Sequence, residues 1–158
     1  LTMQIRQATL SDVNALLALE QAVVDAERPF NSAIKAQGAR YYDIPALVTD
    51  DDSYLLVAED NGAIVATGYV QIRQSKPSLV HNVHGYLGFM YVAPAYRGMG
   101  LNKQIIDTLM AWAESKQVFD FYLDVYADNR AAINAYEKVG FQSSMLEMKL
   151  QRPGTKAE

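Results

Sequence analysis

The sequence predicts an α/β fold in which one mixed, mostly antiparallel β-sheet is flanked by helices on both faces. Short runs of apolar or alternating residues, which are typical of strands, lie between segments whose apolar residues recur at helical spacing. Three strand candidates follow one another in mid-chain without an intervening helix and predict a meander. Strand and helix candidates alternate elsewhere, so the predicted order is β-α-α-β-β-β-α-β-α-β.

The length and composition of the chain are those of a single domain. It has 158 residues, of which half are apolar, and this is enough to form one core. No linker or repeat divides it, so we place the domain at residues 1–151. The polar tail from 152 to 158 carries a Pro-Gly pair and is predicted to be disordered.

Composition also excludes several classes of function. The net charge of −4 and the absence of a basic block argue against a nucleic-acid partner. No stretch approaches the roughly 18 apolar residues of a membrane helix, and no signal-peptide layout is present, so a cytoplasmic protein without a membrane partner is expected. Absence of cysteine excludes thiol nucleophiles and thiolate metal sites. His81 and His84 have no third ligand in view, so no metal site is predicted, and we interpret them as polar residues at the start of a strand.

The N-terminal quarter predicts one strand and two helices. Met3 to Thr9 alternates as a strand does, and Ser11-Asp12 is an N-cap signal before an apolar helical stripe. Between residues 27 and 52, prolines and a glycine interrupt short apolar pieces, which indicates a second short helix and a mobile loop. Phe30, Tyr41 and Tyr42 of this region could line a pocket or pack in the core.

The meander follows. Tyr54 to Ala58 and Ile64 to Ile72 are predicted strands, and Asn61-Gly62 between them supplies the positive φ angles of a hairpin turn. A third strand contains Gly88 to Val92, and Pro94 ends it by removing a backbone donor.

The segment from Arg97 to Lys103 joins this strand to an amphipathic helix through two glycines. The first N–H groups of a helix have no carbonyl partner and lie at the positive end of its dipole, so an anion such as a diphosphate would fit there. An ordinary turn would look similar, because a lone G-x-G is a weak signal. The spacing excludes a dinucleotide-binding fingerprint, since Lys103 stands where the third glycine is needed, and there is no Walker A motif.

Arg97-Gly98-Met99-Gly100-Leu101-Asn102 resembles the R/Q-x-x-G-x-G/A motif of the GNAT superfamily of acyl-CoA-dependent N-acyltransferases. Asn102 departs from the pattern, because the family usually has Gly or Ala there. Its Cβ and amide would crowd a pyrophosphate, or its side chain would hydrogen-bond to it.

A second block strengthens the resemblance. Phe121 to Tyr126 alternates as a strand does, Asp128-Asn129-Arg130 can cap a helix, and Gly140 ends that helix before another strand that begins at Phe141. The run from Leu123 to Phe141 is similar to the family's L-E-V-x-x-x-N-x-x-A-I-x-x-Y-E-x-x-G-F block. Together the two motifs and the N-terminal elements cover nearly the whole chain. The C-terminal half resembles the ribosomal-protein N-terminal acetyltransferases, a subgroup of that superfamily.

The resemblance implies acetyl-CoA as the acyl donor, and no metal. The pantetheine arm of acetyl-CoA would pair with the main chain of residues 90–92, as though it were an added strand. One of the N–H groups of residues 90–92 would face the thioester oxygen. The pyrophosphate would lie on residues 98–103, and Asn129 would hydrogen-bond to the pantetheine. The expected cofactor-binding residues are Met90, Tyr91, Val92, Arg97, Gly98, Met99, Gly100, Leu101, Asn102, Lys103 and Asn129.

Two catalytic roles follow from the same resemblance. Tyr136 matches the tyrosine of the family's Y-E-x-x-G-F and would donate a proton to the leaving thiolate as the general acid. Many family members have a glutamate on the strand before the glycine-rich motif, but no carboxylate stands between His84 and Arg97 here. Asp124, in the L-E-V block, is the candidate base; a structural carboxylate at this position is an equal alternative, and His84 or a water chain is the fallback.

The predicted activity is transfer of an acetyl group from acetyl-CoA to a primary amine by direct attack. A non-catalytic acyl-CoA-binding or sensing domain on the same fold is the alternative. The acceptor is expected to be a small-molecule amine or a peptide or protein amine, and a homodimer is left open. Fold and motif do not identify the acceptor.

Overall fold

The computed structural model of the protein describes residues 3–154, which form two compact units. The first unit ends at Asp124 and the second begins at Val125. The strands are β1 (Met3–Gln7), β2 (Ser53–Asp60), β3 (Ala63–Gln74), β4 (Val83–Val92) and β5 (Phe121–Tyr122). The helices are α1 (Val13–Glu27), α2 (Ile44–Thr49), α3 (Leu101–Glu114) and α4 (Arg130–Lys138).

In the first unit, five strands form one sheet in the order β1-β2-β3-β4-β5. Strands β1 to β4 pair antiparallel, whereas β5 runs parallel to β4. The predicted mixed, mostly antiparallel sheet is therefore confirmed. The turn between β2 and β3 is also the predicted one, since Asn61 and Gly62 have φ angles of +51° and +82°.

Helices cover both faces of this sheet, as predicted. Leu16 of α1 lies in one apolar cluster with Leu55 and Tyr69. Ile105 of α3 lies on the other side, 3.1 Å from the position that a Cβ on Gly68 would occupy. Neighbouring residues of a strand point to opposite faces, so Gly68 and Tyr69 assign α3 and α1 to opposite sides of β3.

The predicted N-cap ties the first strand to the first helix. Asp12 precedes α1, and its carboxylate accepts a hydrogen bond from the Thr9 N–H at 2.8 Å and two from the Arg6 guanidinium at 2.8 and 2.9 Å. These bonds, mainly those from Arg6, hold the pKa of Asp12 below its usual range. The pair anchors the start of α1 to β1.

Near the C-terminus the structure differs from the expected strands. β5 contains two residues rather than the six from Phe121 to Tyr126, and residues 141–154 contain no strand, so the strand expected from Phe141 is wrong. A strand exists only where a neighbouring edge completes its hydrogen bonds, and alternation in a sequence does not supply that partner. The single-domain boundary at 151 and the disordered tail stay predictions, and residues 155–158 of that tail lie outside the described range.

Candidate active site

Strand β4 has a bulge at Phe89. Phe89 has φ +55°, a left-handed conformation that a bulky residue rarely adopts. Thr67 pairs with Tyr91 and Tyr69 pairs with Gly88, so two β4 residues oppose the single residue between Thr67 and Tyr69 on β3. An extra residue in one strand reverses the direction in which every following main-chain group points.

The hydrogen bonds on either side of the bulge confirm that reversal. The Gly85 N–H points away from β3 and donates to the Asp120 carbonyl at 2.8 Å. The Val92 carbonyl accepts from Arg97 Nε at 2.9 Å, while the Ala93 N–H donates to β3. Gly85 and Val92 are seven residues apart, and in a regular strand they would face opposite edges. The bulge therefore turns the main chain of Val92 toward the edge opposite β3.

That edge of β4 lacks a strand partner over much of its length. β5 pairs with β4 only at Gly85 and Tyr86, and no described strand continues the pairing from Leu87 to Val92. By alternation, Met90 and Val92 direct their main-chain groups to this edge, whereas Tyr91 pairs with Thr67 of β3. An extended ligand could hydrogen-bond to the edge as an added strand.

The turn into α3 has the geometry of an anion site. Gly98 and Gly100 have φ +79° and +80°, and nothing lies within 4 Å of the position that a Cβ on either would take. Gly100 is the N-cap of α3 and has no side chain to accept from the first helical N–H groups, those of Leu101, Asn102 and Lys103. These donors therefore face the open space beside Gly98 and Gly100, which we call the cradle. The sequence predicts such a space at this turn.

The side chains around the cradle are partly committed to other contacts. The Lys103 ammonium binds Asp107 at 2.7 Å, and the Arg97 guanidinium lies 5.7 Å from the centre of the Tyr91 ring. Met99 is 52% exposed. Main-chain N–H groups, rather than a free lysine, are thus the main donors that this turn offers to an anion.

On the α1 side of the sheet, four rings form what we call the aromatic cluster, which consists of Tyr41, Tyr42, Tyr69 and Phe89. The Tyr42 ring stacks on Phe89 with a centroid distance of 4.4 Å and meets the rings of Tyr41 and Tyr69 edge to face at 5.7 and 6.0 Å. Burial raises the pKa of the Tyr42 hydroxyl, which keeps it protonated. The cluster supports the side chain of the bulge residue.

Glu20 holds the loop that carries this cluster. Its carboxylate is fully buried and accepts hydrogen bonds from Arg40 Nε at 2.9 Å and from the main-chain N–H groups of Tyr41 and Tyr42 at 2.6 and 2.8 Å. A buried carboxylate with three donors is a strong local constraint. Sequence analysis missed this residue, because the three donors lie about twenty positions away.

We expect Glu20→Gln to lower the free energy of unfolding by about 1–3 kcal/mol, since an amide would turn a donor toward a main-chain N–H and leave buried groups unsatisfied. Urea denaturation measures the loss. Glu114→Gln, which changes an exposed carboxylate of α3, is the matched control and should alter stability by less than about 0.5 kcal/mol. Equal stability of the Glu20→Gln variant and the parent would contradict the constraint.

Asp124 lies beside Tyr86 of β4. Tyr86 donates its hydroxyl to Asp124 Oδ2 at 2.8 Å. Burial, followed by that hydrogen bond, raises the pKa of Tyr86, so the phenol stays a donor. Tyr69 pairs with Gly88, and its hydroxyl lies against that glycine. Tyr69, Tyr86 and Asp124 also interact electrostatically with one another, and we call these three residues the polar cluster.

Two other groups could accept a proton. His84 lies five residues before Phe89, which is about 17 Å along a strand, so it could act on a group at the bulge only through a chain of waters. Burial, and then His81, lower its pKa, and Ser75 Oγ lies 2.9 Å from its Nδ1. Glu27, at the end of α1, is half-buried, and burial raises the pKa of its carboxyl. Sequence analysis did not identify Glu27, because nothing in its local pattern distinguishes it from a surface glutamate.

The second unit contains the other two predicted residues. Asn129 is the N-cap of α4 and accepts the Ala132 N–H at 3.2 Å through its side-chain oxygen. Tyr136 is half-buried, and its ring meets that of Phe141 edge to face at 6.0 Å. The turn at Gly140 makes this contact possible, since its φ of +109° suits glycine and brings the chain back over the helix. The structure thus gathers residues 90–103 and Asp124 in the first unit, and Asn129 with Tyr136 in the second.

Within residues 3–154, no three His, Cys, Asp or Glu side chains are grouped so that they could hold a metal ion. None of the helices in that range is long and apolar enough to cross a membrane.

Comparisons with known proteins place the chain among acetyltransferases. The sequence profile of the acetyltransferase (GNAT) family matches residues 20–141. An N-alpha-acetyltransferase from Sulfurisphaera tokodaii is 26% identical over 148 residues, which cover 88% of this chain and 80% of that protein.

Solved structures share the fold. The BH1408 protein from Bacillus halodurans, in a mutant form, superimposes with a TM-score of 0.84 at 24% identity, covering 95% of this chain and 99% of that one. A predicted acetyltransferase from Clostridium acetobutylicum, solved with acetyl-CoA, has a TM-score of 0.73 at 22% identity and covers 94% of this chain and 96% of that one.

Proposed function

The chain belongs to the acetyltransferase (GNAT) family and is an acetyl-CoA-dependent N-acetyltransferase, and from this premise we propose that it acetylates the α-amino group at the N terminus of a peptide or protein. The similarity to an N-alpha-acetyltransferase over most of both chains supports this class of acceptor. A site at the open edge of a sheet, beside an exposed loop and tyrosine hydroxyls, suits an extended peptide end.

The observation that carries the proposal is the bulge at Phe89 on the unpaired edge of β4. It turns the main chain of Val92 outward beside a helix N-terminus whose N–H groups lack partners. The edge suits the amide-rich arm of acetyl-CoA, and the open cradle at Gly98 and Gly100 suits its pyrophosphate. Residues 98–103 would hold the diphosphate, and Asn129 would donate its amide N–H groups to the pantetheine.

Acetyl-CoA supplies an acetyl group on a thioester carbonyl that a neutral amine can attack. An N–H group of the β4 edge, from Met90 or Val92, would stabilise the negative charge that develops on the carbonyl oxygen. Such a donor is already oriented by the bulge, so it needs little reorganisation during the reaction.

Two side chains would move protons. Asp124, directly or through one water, would take the proton that the amine nitrogen loses as its bond to the acetyl carbon forms. Tyr86 keeps the Asp124 carboxylate oriented through its 2.8 Å hydrogen bond. Tyr136 would give its hydroxyl proton to the sulfur as the carbon–sulfur bond breaks, and it would regain a proton from solvent.

CoA release measured with a thiol reagent tests the activity directly, and the absence of cysteine keeps the background low. The parent protein should release CoA when acetyl-CoA is mixed with a peptide that has a free N terminus. A peptide of the same sequence with an acetylated N terminus is the control and should release none. Equal release from both peptides would contradict acetylation of the α-amine, and binding of acetyl-CoA without any release would favour a sensing domain.

We expect acetyl-CoA at a hundredfold over its dissociation constant to stabilise the fold by roughly 2.7 kcal/mol, and Gly100→Val to abolish this gain by filling the cradle. Gly38→Val is a matched control, since Gly38 has φ +73° and also has nothing within 4 Å of a Cβ. Both variants carry the same backbone strain, but only the first should lose the ligand-dependent shift in melting temperature. A full shift in the Gly100→Val variant would contradict the phosphate assignment.

A further inference from the structure

Arg73, near the end of β3, is held in one orientation on the α1 side of the sheet. Its guanidinium carbon lies 4.0 Å from the centre of the Tyr86 ring, and its Nε donates to Gln71 Oε1 at 2.8 Å. Gln71 in turn donates to Ser53 Oγ at 3.1 Å, and the Ser53 hydroxyl donates to Asp50 at 2.7 Å. This chain of hydrogen bonds and the ring beneath it orient the exposed guanidinium.

Among the described residues, Arg73 nevertheless has no anionic partner. No carboxylate of residues 3–154 lies within 4 Å of its nitrogen atoms, whereas Arg6, Arg28 and Arg40 each form such a pair. The groups that contact it, Gln71 and the tyrosines, are neutral. An oriented guanidinium without a carboxylate is suited to bidentate binding of an external one.

Arg73 lies on the same part of the sheet as the residues that we propose to take part in the reaction. Gln71 pairs with Tyr86 and Tyr69 pairs with Gly88, so the guanidinium above Tyr86 lies two residues, about 7 Å, from Gly88 and three residues, about 10 Å, from Phe89. Asp124 binds the hydroxyl end of Tyr86, and Arg73 covers the face of the same ring. The site therefore has a negative group at the hydroxyl end of the Tyr86 ring and a positive group over the face of the same ring.

We propose that Arg73 is a specificity residue that binds an acidic side chain at the second position of the acceptor peptide, an inference that rests on the proposed N-terminal acceptor. In an extended peptide, one residue of about 3.3 Å and a short side chain separate the α-amine from such a carboxylate by about 7 Å. The carboxylate of a free α-amino acid is bonded to the same Cα as the amine, so it is too close to span this distance. Asp124 would then face the amine while Arg73 binds the carboxylate.

The test compares two peptides that differ only at residue 2, which is Glu in one and Gln in the other. The parent enzyme should have a kcat/KM about tenfold or more higher for the Glu peptide, mainly through a lower KM, because bidentate charge-assisted hydrogen bonds form only with the carboxylate. In Arg73→Gln the ratio should fall to about one, with the Gln peptide acetylated within about threefold of the parent rate. Arg73→Lys keeps the positive charge but lacks the paired N–H donors of a guanidinium. It should give an intermediate ratio of kcat/KM for the Glu peptide over the Gln peptide.

Lys116→Gln is the charge control, since it removes one positive charge from the end of α3 beside Trp112 and should preserve the parent's ratio. Equal kcat/KM for both peptides in the parent, or a preference that survives Arg73→Gln, overturns the role of Arg73 and leaves the N-terminal acceptor intact. Acetylation of neither peptide by the parent overturns both proposals.

Discussion

Tyr136→Phe is expected to lower kcat by about 10²–10⁴-fold while the affinity for CoA stays nearly unchanged. General acids typically contribute this range, which exceeds the effect of losing one neutral hydrogen bond to a bound ligand. The phenylalanine ring preserves the edge-to-face contact with Phe141, so α4 should keep its packing. Initial rates of CoA release at saturating peptide, with CoA affinity from calorimetry, measure the two effects separately.

The control is Tyr54→Phe, which also removes one phenol hydroxyl. Tyr54 stacks on Trp112 with a centroid distance of 5.0 Å on the α3 side of the sheet, and it has no role in the proposed reaction. This variant should keep turnover within about twofold of the parent. General-acid catalysis by Tyr136 is excluded if Tyr136→Phe retains more than about a third of the parent's turnover, because a threefold loss lies far below the expected range.

Asp124→Asn is expected to lower kcat/KM at neutral pH by about 10²-fold or more, and to move activity toward higher pH. A peptide α-amine has a pKa of about 7.7–8.0, so most of it is protonated at pH 7. Without the carboxylate, only the fraction that arrives already deprotonated can attack, and that fraction rises through pH 8. The pH profile of kcat/KM for one peptide, measured in parent and variant, reports the shift.

Tyr86→Phe distinguishes the orientation of the Asp124 carboxylate by Tyr86 from proton transfer by Asp124 itself. It removes the hydrogen bond to Asp124 Oδ2 but keeps the carboxylate, so a smaller loss of about tenfold is expected, with a pH profile like that of the parent. If Asp124→Asn also keeps the parent's profile, Asp124 is not the base. Glu27→Gln would then be the informative variant, because Glu27 is a half-buried carboxyl whose pKa is raised by burial.

Local signals in the sequence determined the elements that carry short-range chemistry. Asn61-Gly62 predicts its hairpin because both residues tolerate positive φ, and Gly98 with Gly100 predicts the open cradle for the same reason. Ser11-Asp12 predicts the start of α1, and Asp12 is its N-cap residue, although its carboxylate binds Arg6 and the Thr9 N–H rather than an N–H group of the helix. Each signal lies within a few residues of the structure that it specifies.

Only the tertiary structure decided the features that depend on distant partners. The bulge at Phe89 arises from the register between β3 and β4, which alternation alone does not reveal. The same limit explains the strand that was expected from Phe141 and is absent, because a strand needs an edge to pair with. Arg73 reads as an ordinary polar strand residue, and its position above Tyr86 follows from cross-strand pairing. The motifs therefore determined the chemistry of this protein, and contacts between distant residues determined which side chains surround it.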